Sequence, residues 1–182
     1  MPARVQLGTT SCVVLGLVSK RPMSGYDVAS LATRSVAHFW PISKSQVYAE
    51  LARLETDGYI VGTHVEQDNR PDKRCYELTT AGNEALEAWL EADGYAPDRT
   101  RSGFLAKFFF AEEMTPAQRL TVLNSYRAEV DAYRLELQEI LDKLQDRADA
   151  FYGRSTALYG LLTAEAKIKW VDEMIESLGT GT

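Results

Sequence analysis

Between Ser43 and Thr79 the hydrophobic period of this chain changes from that of a helix to that of a strand and back again. In ISKSQVYAELARLETDGY, Ser43 precedes Gln46 by three residues, the spacing of a capping box, and Gly58 offers a left-handed stop. Val47, Leu51 and Leu54 recur at helical spacing and share one face. The opposite face holds Ser45, Ala49 and Ala52, flanked by Gln46, Tyr48 and Arg53, and its small residues allow a close approach to another surface. In YIVGTHVEQ the period becomes two, with Tyr59, Val61, Thr63 and Val65 on one side. After the turn formers of DNRPD, the segment KRCYELT puts Tyr76 and Leu78 on one side. A capped helix followed by one hairpin, in a chain otherwise helical, has the layout of a winged helix-turn-helix.

The flanking segments fit that layout. GTTSCVVLGLVS, from Gly8 to Ser19, reads as a buried first helix with a Thr/Ser-rich start able to cap it. Pro22 and Ser24 mark the start of a second helix with Tyr26, Val28, Leu31 and Ala32 as its apolar stripe, ending by Trp40-Pro41. Beyond the hairpin, Thr79 or Thr80 caps a helix whose expected buried stripe is Ala85, Leu86, Trp89 and Leu90. Gly94, Pro97 and Gly103 then interrupt the periodicity, which divides the chain into domains 1–94 and 103–182.

The second domain reads as all helix. FLAKFFFAEEM is a short aromatic helix, and Thr115-Pro116 caps and starts the next. From Pro116 to about Ala150 no glycine or proline occurs, and Leu123, Tyr126, Val130, Tyr133, Leu137, Ile140 and Leu144 form a heptad seam. After the joint FYGRS, Leu158, Leu161, Ala164, Ile168, Val171, Ile175 and Leu178 repeat the rhythm. Two such helices fold back as an antiparallel pair. A lone pair leaves much of its apolar surface uncovered, so a homodimer through this half is expected.

Charge and motifs narrow the function. With 20 Lys and Arg against 26 Asp and Glu, the net charge of -6 excludes a general polycation, so any contact with nucleic acid comes from local patches. His38 and His64 have no Cys, Asp or Glu at ligand spacing, which gives no reason to expect a metal. No phosphate loop, nucleophile elbow or paired-carboxylate frame occurs, so neither catalysis nor a cofactor is expected. The two cysteines fit no disulfide framework, and the short apolar run near the start is neither a spanning helix nor a leader; a cytoplasmic protein is the expectation.

Arg34 to Arg74 contains six Lys or Arg, and the residues suited to a duplex lie within it. Ser43, Lys44, Ser45, Gln46, Tyr48 and Arg53 on the third helix suit the major groove, about 12 Å wide, and Arg70, Lys73 and Arg74 on the wing suit the backbone. The competing reading is a solvated surface on a winged-helix module that binds protein and no DNA. Phe104, Phe108, Tyr126, Tyr133 and Trp170 also carry two readings, a pocket or interface for a planar ligand and plain packing.

The runs VVLGLVSKRPMSGYDV, ISKSQVYAELARLETDGYI and DKRCYELTTAGNEALEAWL, in that order across Val13 to Leu90, closely resemble the PadR family of bacterial transcriptional regulators. The C-terminal half is similar to the branch with a long helical hairpin, as in the virulence activator AphA. The resemblance implies a winged-helix homodimer on a pseudo-palindromic operator in double-stranded DNA, usually as a repressor. It implies recognition-helix contacts from SKSQVY, with Tyr48 at the characteristic tyrosine, and matches Lys73 and Arg74 to the basic pair before Tyr76, Leu78 and Thr79. Some members respond to phenolic acids or drugs near the dimer interface, so a small aromatic effector is a candidate partner.

Overall fold

A computed structural model describes residues 7–65, 73–92 and 101–179. The chain is mainly helical, with a three-stranded antiparallel sheet, and divides into two compact units, Met1–Tyr95 and Ala96–Thr182.

In the first unit, α1 (Thr9–Val18) is apolar almost all round, and Cys12, Val14, Leu15, Leu17 and Val18 are all buried. Its N-cap is Gly8, which offers no side-chain bond, so the expected Thr/Ser cap is absent and Ser11 lies buried inside the helix. Strand β1 (Met23–Ser24) leads into α2 (Gly25–Ser35), where Ser24 and Asp27 form a reciprocal capping box. The helix stops five residues before Trp40. The Thr33 and Ser35 hydroxyls bond back to the Ala29 and Leu31 carbonyls at 3.0 and 2.7 Å, a pattern that weakens a helix end.

Helix α3 (Lys44–Thr56) starts where its sequence indicates. The Ser43 N–H donates to Gln46 Oε1 at 2.8 Å, and the Gln46 N–H donates to Ser43 Oγ at 3.2 Å. Gly58, at φ +78°, closes a Schellman motif, with the Tyr59 N–H on the Leu54 carbonyl and the Gly58 N–H on that of Glu55. Val47, Leu51 and Leu54 are fully buried among Val14, Leu15, Val28, Ala29 and Ile60. Each large aliphatic there stabilises the unit by roughly 1.5–3 kcal/mol.

The hairpin pairs β2 (Ile60–Val65) with β3 (Lys73–Leu78) in antiparallel register, Ile60 opposite Leu78 and Val65 opposite Lys73. The sheet order is β1-β3-β2. Val61 and Val65 are exposed, and Ile60, Tyr76 and Leu78 pack on the core. Helix α4 (Thr80–Glu91) is capped by Thr79, whose Oγ1 accepts the Gly82 N–H. Ala85 and Leu86 join the core, but Trp89 and Leu90 are exposed, because only the first turns of α4 meet it.

In the second unit, Ser102 caps α5 (Gly103–Phe109), and a 3₁₀ turn, Ala111–Glu113, leads to Thr115. Thr115 and Gln118 form a capping box with Pro116 at the first position of α6 (Pro116–Leu144). Leu123, Val130 and Leu137 are buried against Ala157, Leu161, Ala164 and Val171 of α7 (Phe151–Gly179). Asp172 accepts two hydrogen bonds from Arg127, at 2.6 and 3.2 Å, which marks the antiparallel register. Two expectations change here. Gly153 lies inside α7, so FYGRS is helix and the connection is the 3₁₀ turn Ala148–Ala150. Leu158 lies outside the buried stripe, whose place Ala157 takes.

Candidate nucleic-acid interface

The first turn of α3 is open to solvent along Ser43, Lys44, Ser45 and Gln46. Apart from the Gln46 N–H, which Ser43 Oγ caps, its leading N–H groups have no partners within the helix, so this end carries free donors and the positive end of the helix dipole. Ser43 Oγ lies 3.0 Å from Ser45 Oγ, and Gln46 is held by its amide oxygen, which leaves its NH2 as a donor. Tyr48 is 47% exposed and its ring lies against Gly25 at the start of α2. Ala49 and Ala52, opposite the buried Val47-Leu51-Leu54 face, are exposed too.

Tyr26 joins this surface, although its place in a proposed apolar stripe pointed to the core. It is 65% exposed, and Lys44 Nζ stands 5.9 Å from the centre of its ring. At 100° per residue Tyr26 lies 200° from the buried Val28, and that arithmetic would have found it. Asp27 beside it is held below the ordinary carboxylate range, first by the Ser24 hydroxyl hydrogen bond at 2.7 Å and then, opposed by partial burial, by the Ser24 amide, Lys73 and Arg21.

The remaining basic candidates are less available. Arg53 donates to Glu50 at 2.6 Å and to the buried Ser11 hydroxyl, so its guanidinium ties α3 to α1. Arg74 pairs with Glu55 at 2.6 Å, and that hydrogen bond raises its pKa. Lys73 is half-buried on the other side of the strand. Arg70 and the hairpin tip lie outside the described residues.

In the second unit, four of the five aromatic candidates come together. The Phe104 ring stacks on Tyr126 at 3.7 Å between centroids, and Phe104 and Phe108 both meet Trp170 edge-on, at 6.0 and 5.5 Å. Tyr133 belongs to a separate cluster around Leu137. Tyr126 and Trp170 wall a groove of about 640 Å³ with Ser102, Leu105, Thr163, Ala166 and Lys167. Periodicity did not single out Lys167 or Thr163, because they are polar positions on a helix read for its apolar stripe.

Three helices, an open start to the third and a two-stranded wing define a winged helix-turn-helix protein with an appended helical hairpin. Residues 14–88 match the transcriptional regulator PadR-like family and residues 100–179 the virulence activator alpha C-term family, so the chain carries a PadR-like domain followed by an AphA-like C-terminal domain. The negative transcriptional regulator PadR of Bacillus subtilis is 33% identical over 97 residues, 53% of each chain. The chain spans about half the length of the curated relatives it matches. In structure it resembles Bacillus subtilis PadR in complex with operator DNA, with a TM-score of 0.86, 23% identity and 94% and 99% of the two chains covered. It also resembles the virulence activator AphA of Vibrio cholerae, at 0.76 and 26%, with 96% and 100% covered. PadR has been solved with p-coumaric acid as well, and that structure matches at 0.80 and 21%, with 95% and 98% covered.

Proposed function

We propose that this chain is a dimeric DNA-binding transcriptional regulator that represses from a pseudo-palindromic operator. The carrying observation is the open start of α3, where Ser43, Lys44, Ser45, Gln46 and Tyr48 stand clear of a core that fixes the opposite face. Anions bind at helix N-termini, and polar side chains on a first turn reach base edges in the major groove. Tyr26 and Lys73 extend this contact surface toward the backbone. The relative PadR, solved on operator DNA, supports the reading.

The helical hairpin serves as the dimerisation domain. Its α7 carries a second apolar stripe, with Phe151 68%, Leu158 46% and Leu162 55% exposed, and a second copy of the chain covers it in this reading. The groove beside Tyr126 and Trp170 suits a planar aromatic acid, with Lys167 for its carboxylate. The p-coumaric acid complex of PadR supports an effector of that class.

One observation favours the competing module that binds protein and no DNA: Arg53 and Arg74 are both neutralised by neighbouring glutamates. Selection from a random duplex library separates the two. The regulator reading expects enrichment of an inverted repeat at low salt; a folded protein that enriches no sequence and retards no duplex contradicts it.

A further inference from the structure

The adjacent basic residues Lys73 and Arg74 look equivalent in sequence, but the pleat of β3 sends them to opposite faces of the hairpin. Arg74 pairs across the strands with His64, and Gly62 with Tyr76. This is the face of Ile60, Tyr76 and Leu78, which packs on the core beside α3. Glu55, in the last full turn of α3, meets it there. Glu55 Oε1 accepts three hydrogen bonds: from the Gly62 N–H at 2.9 Å, from Arg74 Nε at 3.2 Å and from Arg74 Nη2 at 2.6 Å. The remaining guanidinium nitrogen, Nη1, lies 3.3 Å from His64 Nε2. All three nitrogens of Arg74 are thus engaged within the protein.

Gly62 completes the arrangement. A Cβ there would stand 2.6 Å from Glu55 Oε1 and closer still to Arg74 Nε, so a larger residue would push both side-chain ends out of these positions. β2 is an edge strand, and Glu55 takes up its Gly62 N–H, which ties helix and wing through backbone as well as side chains. Both guanidinium bonds end on the one oxygen Oε1, and a charge-assisted contact of this kind is stronger than a neutral hydrogen bond.

We propose that Glu55, Arg74 and Gly62 form a latch that sets the wing against the recognition helix, and that Arg74 is a positioning residue and makes no phosphate contact. The proposal rests on the reading that the first unit binds DNA. With the latch closed, helix and wing meet the duplex as one preorganised surface; opened, the wing must be ordered on binding, and affinity falls.

Equilibrium binding to a selected operator duplex, measured across a salt series, tests this. E55A should weaken binding about tenfold, the size of effect that lost preorganisation brings. Removing an acid near DNA acts electrostatically in the opposite direction, so the sign alone is informative. R74A should lose the same factor, and E55A/R74A no more than either, because both break one device. None of these should change the slope of log K against log salt, whereas loss of a phosphate-contacting arginine lowers it by about 0.9. E55Q keeps an acceptor oxygen and should retain most of the affinity. G62A breaks the latch without changing charge and should behave like E55A. Unchanged or tighter binding by E55A, or a flattened slope for R74A, overturns the latch. If the wild-type chain binds no duplex, the DNA reading fails by itself. The latch is then judged by hydrogen exchange at the Gly62 amide of the free protein: faster exchange in E55A upholds it, and an unchanged rate overturns it.

Discussion

In the first unit the large aliphatic residues of α1, α2 and α3 are consumed within one chain: Val14, Leu15, Val28, Val47, Leu51 and Leu54 are all fully buried. In the second, α6 and α7 bury one seam against each other through Leu123, Leu137, Ala157 and Val171, while Phe151, Tyr152, Leu158, Tyr159 and Leu162 remain exposed along α7. The buried seam is narrow and rich in alanine on the α7 side, so it uses little of that helix's apolar surface. A unit with a closed core needs nothing further for its fold and can spend its polar face on a ligand. A unit with a second exposed apolar face has, in the dimer reading, a partner to cover it, and the same substitution should therefore have different consequences in the two.

Leu51→Ala should cost about 2–5 kcal/mol of stability, read from denaturant unfolding, because the cavity opens in a core with no second chain to close it. A loss of well under 1 kcal/mol would mean that the first unit is not self-sufficient. Leu158→Glu should leave secondary structure and unfolding of the first unit unchanged while weakening dimerisation about a hundredfold, read by sedimentation equilibrium. Unchanged assembly would remove the outer face of α7 from the interface.

Lys44→Ala acts on the polar face of the first unit. It should leave both stability and dimerisation intact and lower the salt slope of operator binding by about 0.9 per contacting lysine. The smallest effect concerns acid. The hydrogen bond from the Ser24 hydroxyl holds the Asp27 carboxyl below its ordinary value. Its contribution is therefore complete above the unfolded carboxylate's pKa of about 3.9 and is lost as pH falls through the lower folded value. Asp27→Asn should flatten the loss of stability below about pH 4 in thermal melts of the first unit; an unaltered acid limb would show that the capping box carries no charge-dependent stability.

Much of this was legible in the chain, for reasons that differ by element. Ser43 with Gln46, Thr115 with Pro116, and Gly58 are local devices whose geometry is complete within four residues, so sequence spacing marks the ends they close. The buried stripe Val47, Leu51 and Leu54 followed from period alone. What escaped depends on neighbours distant in sequence. β1 has two residues, too few to show a period, and exists because Met23 and Ser24 lie beside Tyr76 and Cys75. Arg74 looked like part of a basic pair because a run of charges does not say which side chain faces Glu55, 19 residues away. Periodicity puts Trp89, Leu90 and Leu158 on apolar stripes, yet all three are exposed, because it tells which side chains share a face, not what covers that face.

In the proposed function the first unit reads a duplex and the second brings two copies together to do so. Hydroxyl-radical footprinting of the full chain on a selected duplex tests both halves at once. Two protected patches on one face of the DNA, centred one helical turn or about 34–36 Å apart and both lost with Lys44→Ala at moderate salt, are the expected result. A single patch, or no protection by a folded dimer at low salt, would contradict it.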